Sequence, residues 1–152
     1  MIIQRINRSN PEKVFIVCRN DSAASIAAGY PAVFKFDATR DGLDIEDCKT
    51  GTAVKNHLLA GLVDQAIAVS SYGLVQCYGV RTDAVIAKSG TATNKNAAIG
   101  DALVLYTAAS VLSGVAAGAV SAYFAGIVMG ETMASSSASG GTTTATVFLR
   151  LM

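Results

Sequence analysis

The chain has 152 residues, 12 Lys and Arg against 11 Asp and Glu, a net charge of +1 and only 15% charged residues. That length supports one core, and near-neutrality excludes the basic excess on which general nucleic-acid binding depends. Hydrophobic residues make up 51%, with 26 Ala among them; Val, Ile, Leu and Phe still number 40, which excludes intrinsic disorder. Three classes stay open: a compact soluble domain, a membrane protein, or a subunit that hides apolar surface in an assembly.

Residues 1–13 read as an N-terminal arm. Ile2, Ile3 and Ile6 are apolar, Arg5 and Arg8 are basic, and Ser9-Asn10-Pro11 breaks the run. The interruptions at Arg5, Arg8 and Glu12 do not suit a signal peptide. Residues 14–152 are expected to form a single β domain. Val14 to Cys18 is the first strand, rich in β-branched and aromatic residues. Asn20-Asp21-Ser22 is a turn, and Ala32 to Phe36 is a second strand. The region from Asp41 to Thr52, with Asp41, Asp44, Glu46 and Asp47, is expected to be acidic and exposed.

Leu58 to Val63 is the next apolar run, followed by Ala66 to Val69. Ser70 to Gly73 is a turn before the strand Leu74–Val80. Thr82-Asp83 is expected to turn the chain into Ala84–Ala87, and Ser89–Lys95 to be a polar loop. Ala102–Tyr106 is another strand. Thr107–Ser121 is ambiguous, because Gly114 and Gly118 each cost about 1 kcal/mol inside a helix. Tyr123–Met129 reads as a strand and Ser135–Gly141 as a flexible loop. The chain closes on an alternation: Ala145, Val147, Leu149 and Leu151 on one face, Thr144, Thr146 and Arg150 on the other. Short strands between Gly-rich turns indicate an all-β fold, a compact barrel or sandwich with long loops.

Catalytic chemistry has few places to sit. His57 is the single histidine. A hydrolase would have to use it with Asp64 or another carboxylate, yet no G-x-S-x-G elbow is present. Cys18, Cys48 and Cys77 are odd in number and far apart, so they suit reduced core thiols better than a disulfide framework. With His57 they lack zinc-ligand spacing. No phosphate-binding glycine loop and no calcium loop occurs. No catalytic residue, metal site or cofactor is therefore assigned, and no small-molecule substrate is expected.

The last third is nearly free of charge. From Ala102 onward only Glu131 and Arg150 are charged, and Ala102–Gly130 runs 29 residues without one. Length alone admits a membrane span, with small-residue spacing at Gly114/Gly118 and Gly126/Gly130. However, Ala, Gly and Ser insert weakly, and the flanks are Asp101 and Glu131 rather than Lys or Arg. Several short buried strands fit better, and no membrane contact is expected.

The order of pieces in residues 60–152 resembles one known family. Ser71-Tyr72-Gly73-Leu74-Val75-Gln76-Cys77-Tyr78-Gly79 is followed by Ala98-Ile99-Gly100-Asp101-Ala102-Leu103, then Phe124–Met129, then Thr146-Val147-Phe148-Leu149. This succession resembles the capsid decoration, or cement, proteins of tailed bacteriophages. The long Ala/Gly segment 107–122 departs from the polar loop the resemblance implies there. The resemblance implies a structural virion protein: a compact β-barrel, made in the host cytoplasm, seated as a homotrimer outside the head and stabilising the major capsid protein lattice. On that reading Ile2, Ile3, Arg5, Ile6 and Arg8 of the arm are the expected contacts with the capsid or a neighbouring subunit.

Overall fold

The structure is a computed structural model and describes residues 12–36, 43–48, 58–88, 99–106, 111–114, 125–131 and 141–151. Among the described residues nine strands run in chain order: β1 Val14–Asn20, β2 Pro31–Phe34, β3 Asp44–Asp47, β4 Leu59–Val63, β5 Tyr72–Lys88, β6 Ala102–Tyr106, β7 Val111–Gly114, β8 Gly126–Glu131 and β9 Gly141–Arg150. The described residues contain no α-helix. The all-β expectation holds.

One sheet contains all nine strands in the order β1-β3-β2-β4-β5-β7-β6-β8-β9, and β5 also pairs with β1 and with β9. Hydrogen-bonded pairing therefore returns to β5 twice. One circuit runs β5-β4-β2-β3-β1-β5 and the other β5-β7-β6-β8-β9-β5. The 17-residue length of β5 makes this possible. Its first part, Tyr72–Tyr78, pairs with β1, and its second, Tyr78–Lys88, pairs with β9. Only β1–β3 and β5–β7 are parallel.

Each half buries its own cluster. Cys18, Ala32, Ile45, Val63 and Val75 pack together in the first. Ile86, Leu103, Leu112, Val128, Val147 and Leu149 pack in the second, joined by Leu62 and Val33. Tyr30 packs against the first cluster and against the small group Val85, Ala87 and Val111. The alternation of the last segment is realised: Ala145, Val147 and Leu149 are buried on β9, while Thr144 and Arg150 are exposed.

Two expectations need correction. Asp44–Asp47 is not an exposed acidic loop but strand β3, with Asp44 and Ile45 almost fully buried. Asp44 tolerates this because the Arg19 guanidinium lies 3.4 Å from its Oδ1. Thr82-Asp83 is not a turn. It lies inside β5, where the register with β9 shifts between Arg81 and Ala84, so the chain bulges instead of reversing. Within the ambiguous 107–121 segment, Val111–Gly114 is a short, fully buried strand. The expected strand Ala32–Phe36 is displaced to Pro31–Phe34; of the expected Tyr123–Met129, residues 123 and 124 lie outside the described residues and the described part is the strand Gly126–Glu131.

The described parts of 102–130 are strands, and no described helix is long and apolar enough to cross a membrane. The expected loop Ser89–Lys95 and residues 135–140 of the expected loop Ser135–Gly141 lie outside the described residues, while Gly141 is not loop but the first residue of β9.

Candidate functional site

The described surface carries an apolar strip built on two neighbouring strands; Ile127 and Met129 on β8, and Phe36, Val69 and Ile99, are exposed elsewhere. Residues of β1 alternate in direction. Ile16, Cys18 and Asn20 face inward, and Phe15, Val17 and Arg19 face outward. The antiparallel register sets Val17 opposite Leu74 and Arg19 opposite Tyr72. All four large side chains of this strip are solvent-exposed: Phe15 37%, Val17 58%, Leu74 45% and Tyr72 61%. Directly opposite pairs in an antiparallel ladder hold their Cβ atoms about 5 Å apart, so the strip is continuous. It ends at Gln76, which pairs with Phe15 on one side and Leu62 on the other and is fully buried. Beyond Gln76 the same face runs under the larger core cluster through Leu62.

A charged frame borders the strip at the far end of β1. Arg19 Nη1 lies 3.0 Å from Asp21 Oδ1 and 3.4 Å from Asp44 Oδ1. Lys35 Nζ donates to Asp21 Oδ2. The hydrogen bond from Lys35 is the main reason the Asp21 carboxyl is held below the usual range; desolvation opposes it, and the charges of Lys35 and Arg19 add to it. The framework behind this corner is Asn20, fully buried. Its Nδ2 donates to the carbonyls of Ala24 and Ile67, both at 2.9 Å, and its Oδ1 accepts from Ser22 N–H at 2.9 Å and Ser22 Oγ at 2.5 Å. Each side-chain donor and lone-pair direction of the amide is used, so β1 ends in a fixed position.

The sequence-assigned contacts Ile2, Ile3, Arg5, Ile6 and Arg8 lie outside the described residues, as does His57. Cys18, Cys48 and Cys77 are all buried free thiols. Burial pushes the Cys18 thiol up to about 11, with Cys77 and Asp44 adding to the effect. Such a thiol is protonated and inert at neutral pH. Among the described residues no group of three His, Cys, Asp or Glu could hold a metal ion. Ser25, Ile26, Ala27, Tyr30 and Asp47 line a small depression.

Sequence reasoning missed Phe15, Val17, Tyr72 and Leu74 as a surface. The available signal was that Val14–Cys18 is apolar on both faces, whereas a strand with one solvated face alternates. No family model, curated protein or solved structure matches this chain.

Proposed function

We propose that this protein is structural: a capsid decoration protein that binds the outside of a tailed-phage head as a homotrimer and reinforces the major capsid protein lattice. It acts without a cofactor, a small-molecule substrate, nucleic acid or membrane. In this reading the sheet that returns twice to β5 is a compact barrel-like body, produced in the host cytoplasm and ending on the virion surface. The motif succession over residues 60–152 suggests the family. The observation that carries the reading is the exposed strip Phe15, Val17, Leu74 and Tyr72, held on a sheet whose alternate face is core. Contiguous exposed apolar side chains mark protein contact surfaces.

The mechanism is additive. Each copy contributes a modest interface, and many copies on a closed lattice raise the temperature at which the shell opens, because attachment at one site keeps neighbouring sites at high effective concentration. The test mixes the purified chain with empty heads of the cognate major capsid protein. Stoichiometric co-sedimentation and a raised disruption temperature are expected. The double variant Val17→Asp, Leu74→Asp should stay folded and lose both. Wild-type protein that is folded and oligomeric but leaves the heads unbound rules the reading out.

A further inference from the structure

Two stretches of the chain follow the same path. Residues 14–34 run from β1 through a turn into β2, and residues 59–75 run from β4 through a turn into the first part of β5. Their backbone hydrogen bonds match one for one. Asn20 N–H donates to Ser71 O and Val63 N–H to Tyr30 O, both at 2.9 Å. Ser70 N–H donates to Asn20 O at 2.8 Å, and Gly29 N–H to Val63 O at 2.9 Å. Ile26 and Ile67 each donate to the other's carbonyl. Tyr30 N–H closes a turn on Ala27 O, and Ser71 N–H closes the same turn on Ala68 O. The turns share an uncommon conformation as well: Gly29 has φ +77° and Ser70 has φ +61°. A serine seldom takes positive φ, and here it does so at the position that glycine holds in the other turn.

The ladders obey the same correspondence. Cys18 pairs with Gly73 and Arg19 with Tyr72, while Gly61 pairs with Ala32 and Leu62 with Pro31. Val17 with Leu74 corresponds to Leu59 with Val33, once the register shift of the β2–β4 ladder is crossed. The first strand of each stretch therefore pairs with the second strand of the other. Two departures have identifiable causes. In the second stretch Val63 pairs directly with Val75. In the first, the equivalent residues Asn20 and Phe34 both pair with Ile45, so β3 is a strand inserted between them. Val33 and Leu62 belong to the larger core cluster and Leu59 packs against it, whereas their equivalents Leu74, Arg19 and Val17 do not. The larger core thus packs on one stretch and not on the other.

We infer that residues 14–34 and 59–75 are two copies of one motif, interlocked about a pseudo-two-fold axis at the Ile26–Ile67 bridge, and that the lock opens as one unit. Among the described residues, the first copy has no ladder between its own strands. Its β1 is held by β5 and β3, and its β2 by β4 and β3. Displacing either copy removes the β1–β5 and β2–β4 ladders at once, so neither copy opens alone. Cooperative units of this kind open locally, without unfolding of the whole chain. The amides of Asn20, Gly29, Val63 and Ser70 all donate across the two copies, and their exchange reports the opening.

The experiment is native-state amide exchange, followed by NMR on the full chain in urea below the unfolding transition. The four amides should have protection factors within about threefold of each other and one common urea dependence. The N–H groups of Ala125 and Val128, bonded to Leu103 O and Asp101 O in the other half of the sheet, are the reference. They should differ from the four by at least about tenfold and follow a separate urea dependence. One protection factor and one slope for all six makes the opening global and overturns the inference. Ile26→Val then perturbs the axis from one copy only. It should speed exchange at Val63 and Ser70, in the other copy, by the same factor as at Asn20 and Gly29, about two- to tenfold. Ile67→Val should give the mirror result. Faster exchange confined to the substituted copy overturns the inference. Equivalence of the turns has its own readout. Ser70→Gly puts the first copy's residue into the second and should raise the folded-to-unfolded ratio about twofold, because glycine takes positive φ without steric cost. A lowered ratio overturns the equivalence.

Discussion

Arg81 Nη1 donates to Asp64 Oδ1 at 2.7 Å, tying the residue after β4 to the bulge of β5. The guanidinium uses its whole fork. Nη2 donates to Asp64 O at 3.0 Å and to Asp83 Oδ2 at 2.9 Å, and Nε donates to Asp83 Oδ1 at 2.5 Å. The Arg81 side chain is 5% exposed, while those of Asp64 and Asp83 are 33% and 53% exposed. A buried cation is thus held by two carboxylates that still reach water. The arrangement sits at the register shift of β5 against β9, beyond Tyr78, the residue at which pairing with β1 gives way to pairing with β9.

Arg81→Met should therefore destabilise the fold by about 2–3 kcal/mol in urea unfolding, at the low end for a broken buried pair because the remaining carboxylates can hydrate. Arg81→Lys should recover little of this, since an ammonium cannot span both carboxylates and the Asp64 carbonyl. Asp83→Asn, at the exposed end, should cost less than about 1 kcal/mol. Equal losses for all three variants would contradict the assignment of Arg81 as the organising group.

This bulge also shows why part of the fold was legible in sequence and part was not. The runs Val14–Cys18, Leu58–Val63, Leu74–Val80 and Ala102–Tyr106 each fall in or on an observed strand, because β-branched and aromatic density is a local property. The final alternation is legible for the same reason. Thr82-Asp83 looks like a turn in isolation, yet Asp83 is engaged by Arg81 and the ladder to β9 continues past it. Asp44 and Glu46 look solvated in isolation, and Arg19, 25 positions away, makes Asp44 compatible with a buried strand. The pairings β1–β5 and β5–β9, and the exposed strip they leave, depend on which distant strands meet. Nothing within Val14–Cys18 says which of its two apolar faces the core covers.

Asn20 yields a second stability prediction. Asn20→Asp keeps the shape and the acceptor but removes both donors to the Ala24 and Ile67 carbonyls. It also brings a negative charge among buried carbonyls. A loss of about 2–4 kcal/mol is expected, from two missing hydrogen bonds and the desolvation of a carboxylate. The local reading is amide exchange: Ile26 and Ile67, joined by an isolated antiparallel bridge beside this side chain, should lose protection first. Uniform loss of protection across β6 to β9 would mean that Asn20 acts on the whole fold rather than on this corner.

Cys18 makes stability fall at alkaline pH. Its folded value lies near 11 against an ordinary 9.0. The folded state thus holds the proton more tightly than the unfolded chain does. The stabilisation is fully present below pH 9 and is lost as pH rises toward 11. Two units correspond to roughly 3 kcal/mol at most. Other groups titrate in this range, so the measurement is a difference: wild type minus Cys18→Ala, in urea, from pH 7 to 11. The two curves should converge as pH rises. Parallel curves would show that Cys18 ionises as readily folded as unfolded, and rapid reaction of native protein with a thiol reagent at pH 8 would say the same.

Two glycines with similar backbones separate conformational strain from steric exclusion. Gly29 has φ +77° and Gly100 has φ +89°, so an L-residue at either is strained. That strain alone is about 1–2 kcal/mol. Around Gly100 a Cβ would meet nothing within 4 Å, whereas at Gly29 it would lie 2.2 Å from the carbonyl oxygen of Asp83. That oxygen belongs to the β5 backbone and cannot swing aside. Gly29 is also hydrogen-bonded on both sides, its N–H to Val63 O at 2.9 Å and its carbonyl to Val85 N–H at 3.0 Å. Gly100→Ala should therefore cost about 1–2 kcal/mol. Gly29→Ala should cost clearly more, about 3–5 kcal/mol, because strain is joined by displacement of the loop from β4 and β5. Calorimetry of the two variants gives the comparison. Equal melting temperatures would show that the segment ending at Gly29 is not pressed against the bulge of β5, and with that contact gone Tyr30 would no longer bridge the two buried clusters it touches.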